Sequence, residues 1–278
     1  MDADREFLQG LSIRHLKSLI LKAGLECFDC IEKHDLVQRA VQAQQQRKAP
    51  PEPTLSSELA ERCEAAVAED DGMAEAQRSS VVRLRGLLTD ADIEAIHALA
   101  ARLRGAGTKP SGKYGGAWDT CYLSAGGAFV AALPAIAEKL FRAAREVDAA
   151  QGWNLLSGKD VAPRVIEYHT VTQHGSLPWA RHFDEGSLLT IDCMLSDTAE
   201  FGSGAFQTLE PDGTLLAHPF ERGDVQIFRS HKYHCVEPVS SGTRRVLVIE
   251  LWDGPPRCCA HRCGRRTGVC PLECSEAA

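Results

Sequence analysis

His234-Cys235-Val236-Glu237-Pro238-Val239-Ser240-Ser241-Gly242-Thr243-Arg244 is the run whose reading decides the fold of this 278-residue chain. It sets a histidine and an arginine on successive strands, joined by a Ser-Ser-Gly turn. Fifty residues upstream stands His182-Phe183-Asp184. On extended chain, residues two apart project to one side, so a single metal ion can take both His182 and Asp184. His234 approaches from another strand. Two imidazoles and one carboxylate fill half of an octahedral shell and leave the rest open, as in non-haem iron(II) sites. Arg244 then offers a fork-shaped cation for a carboxylate-bearing co-substrate. A bare H-x-D arises often by chance, so its weight rests on these downstream partners.

Local alternatives are resolved by spacing. His231 competes with His234, but it faces the other way on a continuous strand and lacks the spacing to Val236, Pro238 and Arg244. Arg245 alternates with Arg244 and is expected to point away. His169 and His174 read as strand or loop polar residues in preference to substrate contacts, and His97 as structural within a helix. Trp179 suits a substrate entrance or ordinary packing equally.

Outward from the site, Gly202-Ser203-Gly204-Ala205-Phe206 reads as a tight turn into a strand, and Gly223-Asp224-Val225-Gln226-Ile227-Phe228 as another. Strands are expected at 164–171, 188–195, 205–209, 224–228, 234–239 and 245–252. Short, glycine-separated strands of this kind indicate a sandwich or barrel. Before them come a strand at 81–84, a helix capped by Thr89 and running to Arg104, a polar loop at 105–116, a strand at 118–123 and a helix at 134–149.

Over roughly residues 80–252 these elements, with Leu84–Ile93 as lead-in strand and first helix, resemble the prolyl 4-hydroxylase-like branch of the 2-oxoglutarate/iron(II) oxygenases. The last motif, His234 to Arg244, is intact. The resemblance implies an α+β fold, a double-stranded β-helix (jelly roll) with supporting helices. It implies iron(II) at His182, Asp184 and His234, and Arg244 on the distal carboxylate of 2-oxoglutarate. Tyr168 matches a strand tyrosine that hydrogen-bonds the co-substrate. The implied reaction uses O2 to hydroxylate a C–H bond, with succinate and CO2 as co-products and a protein side chain, proline included, as target. Two departures stand out: the stretch Thr170–Arg181 is longer than usual, and Ser203 replaces a glycine.

The ends read differently. Residues 1–46 form a helical module, with Ile13, Leu16, Leu19, Ile20 and Ala23 at helical spacing, Ser12 as N-cap, Gly24 as stop and a second helix at 29–46. It resembles a SAP-like helix-loop-helix. Its eight basic and seven acidic residues over 1–48 give little drive toward nucleic acid, so protein interaction is the expectation. Cys27 and Cys30 form a C-x-x-C pair, read as a local staple in preference to a redox site. A linker with a short helix at 55–68 occupies 47–79, the oxygenase-like region 80–256, and a cysteine-rich tail 257–278. The tail carries Cys258, Cys259, His261, Cys263, Cys270 and Cys274, enough donors for structural zinc, although a flexible thiol-rich tail fits as well.

The net charge of −7 disfavours a generally nucleic-acid-binding surface. No apolar run reaches the roughly 18 residues of a membrane helix. The acidic start and the absence of an export pattern lead to an expected cytoplasmic or nuclear location. Two rival functions are nucleic-acid oxidative demethylation and a non-catalytic interaction protein on a jelly-roll scaffold.

Overall fold

The structure, a computed structural model, describes residues 8, 9, 13, 16, 17, 20, 33–46, 72–105, 117–263 and 270. Residues 1–65 and 66–278 form two compact units. In the first, helix α1 (Lys33–Gln46) supplies Leu36, Val37 and Ala40 to a small apolar core shared with Leu8, Leu16 and Ile20. Ile13, expected on the buried stripe, is 51% exposed. Ser12, Gly24, the C-x-x-C pair, the 47–53 linker, the 55–68 helix and the loop at 106–116 lie outside the described residues.

The second unit begins with helix α2 (72–78) and then runs β1 (Val82–Leu84), α3 (Asp90–Gly105) and β2 (Trp118–Tyr122). Next come α4 (Ala128–Ala132), α5 (Pro134–Ala150), β3 (Val161–Thr172), β4 (Leu177–His182) and β5 (Leu189–Met194). The chain finishes with β6 (Phe201–Ser203), β7 (Phe206–Leu209), β8 (Leu215–His218), β9 (Val225–Arg229), β10 (His234–Val236) and β11 (Val239–Asp253). All recorded strand pairs are antiparallel. The major sheet runs β1-β9-β5-β11-β3-β2, with β6 added to β11, and the minor sheet runs β4-β10-β7-β8. This is the expected α+β jelly roll.

Helix starts follow from local chemistry. Thr89 caps α3 reciprocally with Asp92: the Asp92 N–H donates to the Thr89 hydroxyl at 3.2 Å, and the Thr89 N–H donates to Asp92 Oδ2 at 2.9 Å. Pro134 opens α5, where its missing N–H costs nothing. Ile136, Ala137, Leu140, Ala143, Ala144 and Val147 then form one buried face. That face and Ile93, Ile96 and Leu99 of α3 pack under the major sheet, against Leu189, Ile191, Cys193, Leu247 and Ile249. The alternate residues of those strands face the minor sheet, where Trp118, Phe206, Phe228, Val236 and Val246 form a second core.

Three strands escaped the sequence reading. One is β4, because Pro178 and Arg181 break its apolar pattern. It is an edge strand paired with β10, where a proline is tolerated. The turn between His234 and Arg244 also differs from expectation. The chain leaves β10 at Glu237-Pro238, and Ser240-Ser241-Gly242 lies inside β11, where pairing with β6 shifts register between Val239 and Ser241.

Gly242 has φ +72°, and a Cβ there would collide with the Glu200 carbonyl oxygen. Gly242→Ala is therefore expected to cost about 2–3 kcal/mol, measurable as a lowered urea midpoint, through a left-handed backbone and a backbone clash together.

Candidate metal centre

Strand pairing builds the site. His182, the last residue of β4, is the direct antiparallel partner of His234, the first of β10. Their rings meet edge to face with centroids 4.9 Å apart. Beyond the strand, the Asp184 N–H donates to the Ser230 carbonyl at 2.8 Å, which folds the carboxylate back under both rings. Asp184 Oδ1 is 3.3 Å from His182 Nε2, and Oδ2 is 3.9 Å from His234 Nε2. One ligand atom from each residue lies within 4.8 Å of the others, as binding to one ion requires. Phe183 turns the other way and meets His231 edge to face at 5.6 Å, so His231 stays outside the cluster.

Surrounding groups set ligand orientation and charge. His234 Nδ1 sits 2.9 Å from the Lys232 carbonyl, a bond that places the proton on Nδ1 and leaves Nε2 as the donor atom. Burial pushes the His234 imidazole below its usual value, which favours the neutral form that binds metal. Thr190 donates to Asp184 Oδ2 at 2.6 Å. Burial alone would raise the Asp184 carboxyl, but His234, His182 and Arg262 together hold it well below the usual carboxylate range. It is a carboxylate ready to bind a cation.

The triad opens into a cavity between the sheets. Phe206, Phe228, Val236, Val246 and Val248 form its apolar walls, and Arg244 lies among its lining residues. The Arg244 side chain is 1% exposed, and its Nε and Nη2 have no hydrogen-bond partner among the described residues. Burial lowers its pKa, opposed by the charge of Asp192. A buried guanidinium with two unsatisfied nitrogens is costly unless a ligand completes it. Arg245 points away as expected, 3.9 Å from Glu200.

Tyr168 is a correction. Strand alternation places it on the helix-facing side of β3, buried in the core under α3, with its hydroxyl 2.8 Å from His97 Nδ1. It is not among the cavity-lining residues. Its neighbours Glu167 and His169 face the cavity instead, so His169 is more than a strand polar residue. Trp118 Nε1 donates to His169 Nδ1 at 3.0 Å, and Glu167 lies 3.4 Å from its Nε2. Trp179 neither packs nor lines the cavity and is 74% exposed.

Thr190 and Asp192 were also missed, yet they leave a signal. In Leu189-Thr190-Ile191-Asp192-Cys193-Met194 two polar residues alternate inside an otherwise apolar strand that is buried throughout. Such alternation in a central strand marks a face turned to a polar cavity. Arg262 gives no such signal, since it comes from the tail. Of the tail's candidate ligands, Cys259, His261, Cys263 and Cys270 converge, with one donor atom of each within 4.8 Å of the others. Cys258 is exposed, and Cys274 lies outside the described residues.

No family model matches this sequence, and no curated protein matches it. A solved structure shares the fold, and others are similar at lower scores. An oxidoreductase of the 2OG-Fe(II) oxygenase family from Burkholderia pseudomallei is similar at TM-score 0.50 and 16% identity, over 68% of this chain and 92% of that one. A prolyl hydroxylase from Trichoplax adhaerens, in complex with a hypoxia inducible factor oxygen degradation domain peptide fragment, is similar at TM-score 0.47 and 12% identity, over 72% and 94%.

Burial pushes the Asp192 carboxyl from 3.8 up to about 6, partly offset by Arg244. Its folded pKa exceeds its unfolded one, so its contribution is most favourable below pH 3.8 and is lost as pH rises through 6. Asp192→Asn is expected to raise stability by about 2–3 kcal/mol at pH 8 and by much less at pH 4.5, read from thermal unfolding at both values.

Proposed function

We propose that this chain is an iron(II)- and 2-oxoglutarate-dependent dioxygenase that hydroxylates a C–H bond of a protein side chain, proline among the candidates. The observation that carries the reading is the pairing, in one cavity, of the His182-Asp184-His234 donor set with the buried guanidinium of Arg244, whose Nε and Nη2 have no hydrogen-bond partner among the described residues. The donor set fits iron(II), since it provides two imidazoles and one carboxylate and no thiolate. The unsatisfied Arg244 N–H groups fit a carboxylate. When bound, iron(II) with 2-oxoglutarate supplies oxidation of a C–H bond by O2, giving alcohol, succinate and CO2.

The chain's own residues bind and orient. His182, Asp184 and His234 hold the ion, with the Lys232 carbonyl and Thr190 hydroxyl fixing two of the three ligands. Arg244 holds the carboxylate of 2-oxoglutarate remote from the ion. Phe206, Phe228 and Val246 keep water from the space between. The fold shared with a 2OG-Fe(II) oxygenase family member supports the assignment.

A protein substrate is favoured by the net charge of −7 and by the edge strand β4. Among the described residues β4 pairs only with β10, and it carries exposed Trp179 and ends at His182. An extended peptide laid along that edge can pair with free main-chain groups and bring one side chain to the ion.

Purified protein should release succinate from 2-oxoglutarate in an iron- and O2-dependent way, and His182→Ala should abolish release. Arg244→Ala, which removes two charge-assisted hydrogen bonds, should weaken 2-oxoglutarate binding by about 2–4 kcal/mol, or ~30- to ~1000-fold. Wild-type protein that binds neither iron(II) nor 2-oxoglutarate would sink the reading. Peptide and methylated oligonucleotide libraries in the same assay decide the substrate class. Trp179→Ala should raise KM for a peptide and leave substrate-free succinate release unchanged.

A further inference from the structure

The cysteine-rich tail reaches the candidate iron site through one residue. Arg262 lies between His261 and Cys263, two members of the converging Cys259-His261-Cys263-Cys270 group. Its Nη2 is 3.3 Å from Asp184 Oδ1 and 2.7 Å from Glu250 Oε1, the latter a close ion pair off the line of a hydrogen bond. Both carboxylates are buried, and this guanidinium is the arginine they share, with Arg164 also 3.3 Å from Glu250.

Residues 254–263 form neither helix nor strand, so no backbone ladder fixes Arg262. Side chains and carbonyls do part of the work. Arg164 Nη2 donates to the Cys263 carbonyl at 3.3 Å, and the Ser124 hydroxyl to the Cys259 carbonyl at 3.2 Å. Main-chain bonds help as well, the Arg257 N–H donating to the Pro163 carbonyl at 3.0 Å and the Gly126 N–H to the Cys258 carbonyl at 2.9 Å, and the cluster itself is a further anchor. Cys259, Cys263 and Cys270 are buried together, with Cys270 Sγ 3.6 Å from His261 Nε2. Tetrahedral zinc with bonds of about 2.3 Å to sulfur and about 2.05 Å to nitrogen sets those atoms about 3.6 Å apart. Three thiols and one imidazole, with no carboxylate, suit zinc and exclude the harder cations.

We propose that Cys259, His261, Cys263 and Cys270 bind a structural zinc ion whose task is to seat Arg262 against Asp184 and Glu250. Zinc then sets how well the neighbouring triad binds its own metal. The coupling rests on the reading of that triad as a metal site; the zinc site does not. Arg262 is a positioning residue: it holds a ligand from outside, and its loss lets the Asp184 carboxylate turn away from His182 and His234. Losing such a partner typically weakens metal binding about 10- to 100-fold.

The test uses the full-length protein purified under reducing conditions, with zinc measured by elemental analysis and Mn(II) titrated as a redox-stable probe of the triad. Wild type and Cys258→Ser should carry one zinc per chain. Cys263→Ser and Cys270→Ser should lose most of it, and His182→Ala should keep it. Cobalt in place of zinc should show thiolate-to-metal charge transfer. Arg262→Gln should retain zinc yet bind Mn(II) about tenfold more weakly, with partial rescue in Arg262→Lys. Stripping zinc from wild type should weaken Mn(II) by the same factor and add nothing in Arg262→Gln. Zinc-free wild type, a disulfide among these cysteines, or Mn(II) affinity unchanged in Arg262→Gln overturns the proposal. Full zinc loading with no Mn(II) binding in wild type at any concentration instead overturns the triad reading.

Discussion

Charge buried between two sheets must meet charge of opposite sign, and that requirement shapes the second unit of this molecule. Asp184, Glu167, Asp192 and Glu250 are all buried on the inner face, and so are Arg164 and Arg244. Isolated, each would cost several kcal/mol. Most are satisfied: Glu250 by Arg164, Arg262 and Ser187, Asp184 by Arg262, Thr190 and two histidines, Glu167 by His169. Arg244, Asp192 and Glu250 keep side-chain atoms without a hydrogen bond among the described residues, although Glu250 Oε1 has the Arg262 guanidinium at 2.7 Å. Asp192 and Arg244 both line the cavity.

The division of faces follows from the strand period. In β3, β5 and β11 one set of alternate residues packs on α3 and α5 as continuous hydrocarbon, and the other set turns to the cavity. A rigid helix-backed sheet therefore holds Arg244, while the minor sheet holds His182 and His234. Arg244 and the two histidines sit on opposing layers. The co-substrate reading needs both layers at fixed separation, which the helical core under the major sheet provides.

Legibility tracked sequence separation. His182, Asp184, His234 and Arg244 could be picked out because each belongs to a short motif whose internal spacing strand geometry dictates. Tyr168 failed for the same geometry: a pattern match gives a position along a strand, and a shift by one residue changes the face. His169 and Glu167, one step away, hold the inward positions. Thr190 and Asp192 were readable in principle from polar alternation inside β5. Edge strand β4 was hidden by Pro178, because a strand held by pairing on one side needs little propensity of its own.

The sequence by itself determined the fold class, the donor set and the arginine, since these depend on residue type and on spacings of two to ten residues that the backbone period enforces. Only the tertiary structure decided which face Tyr168 takes, that His182 and His234 are direct cross-strand partners, and that Arg262 of the tail sits against Asp184. Those facts join residues 52 to 78 positions apart or turn on a one-residue register. No local rule fixes them; the packing of two sheets and the pairing of buried charge do.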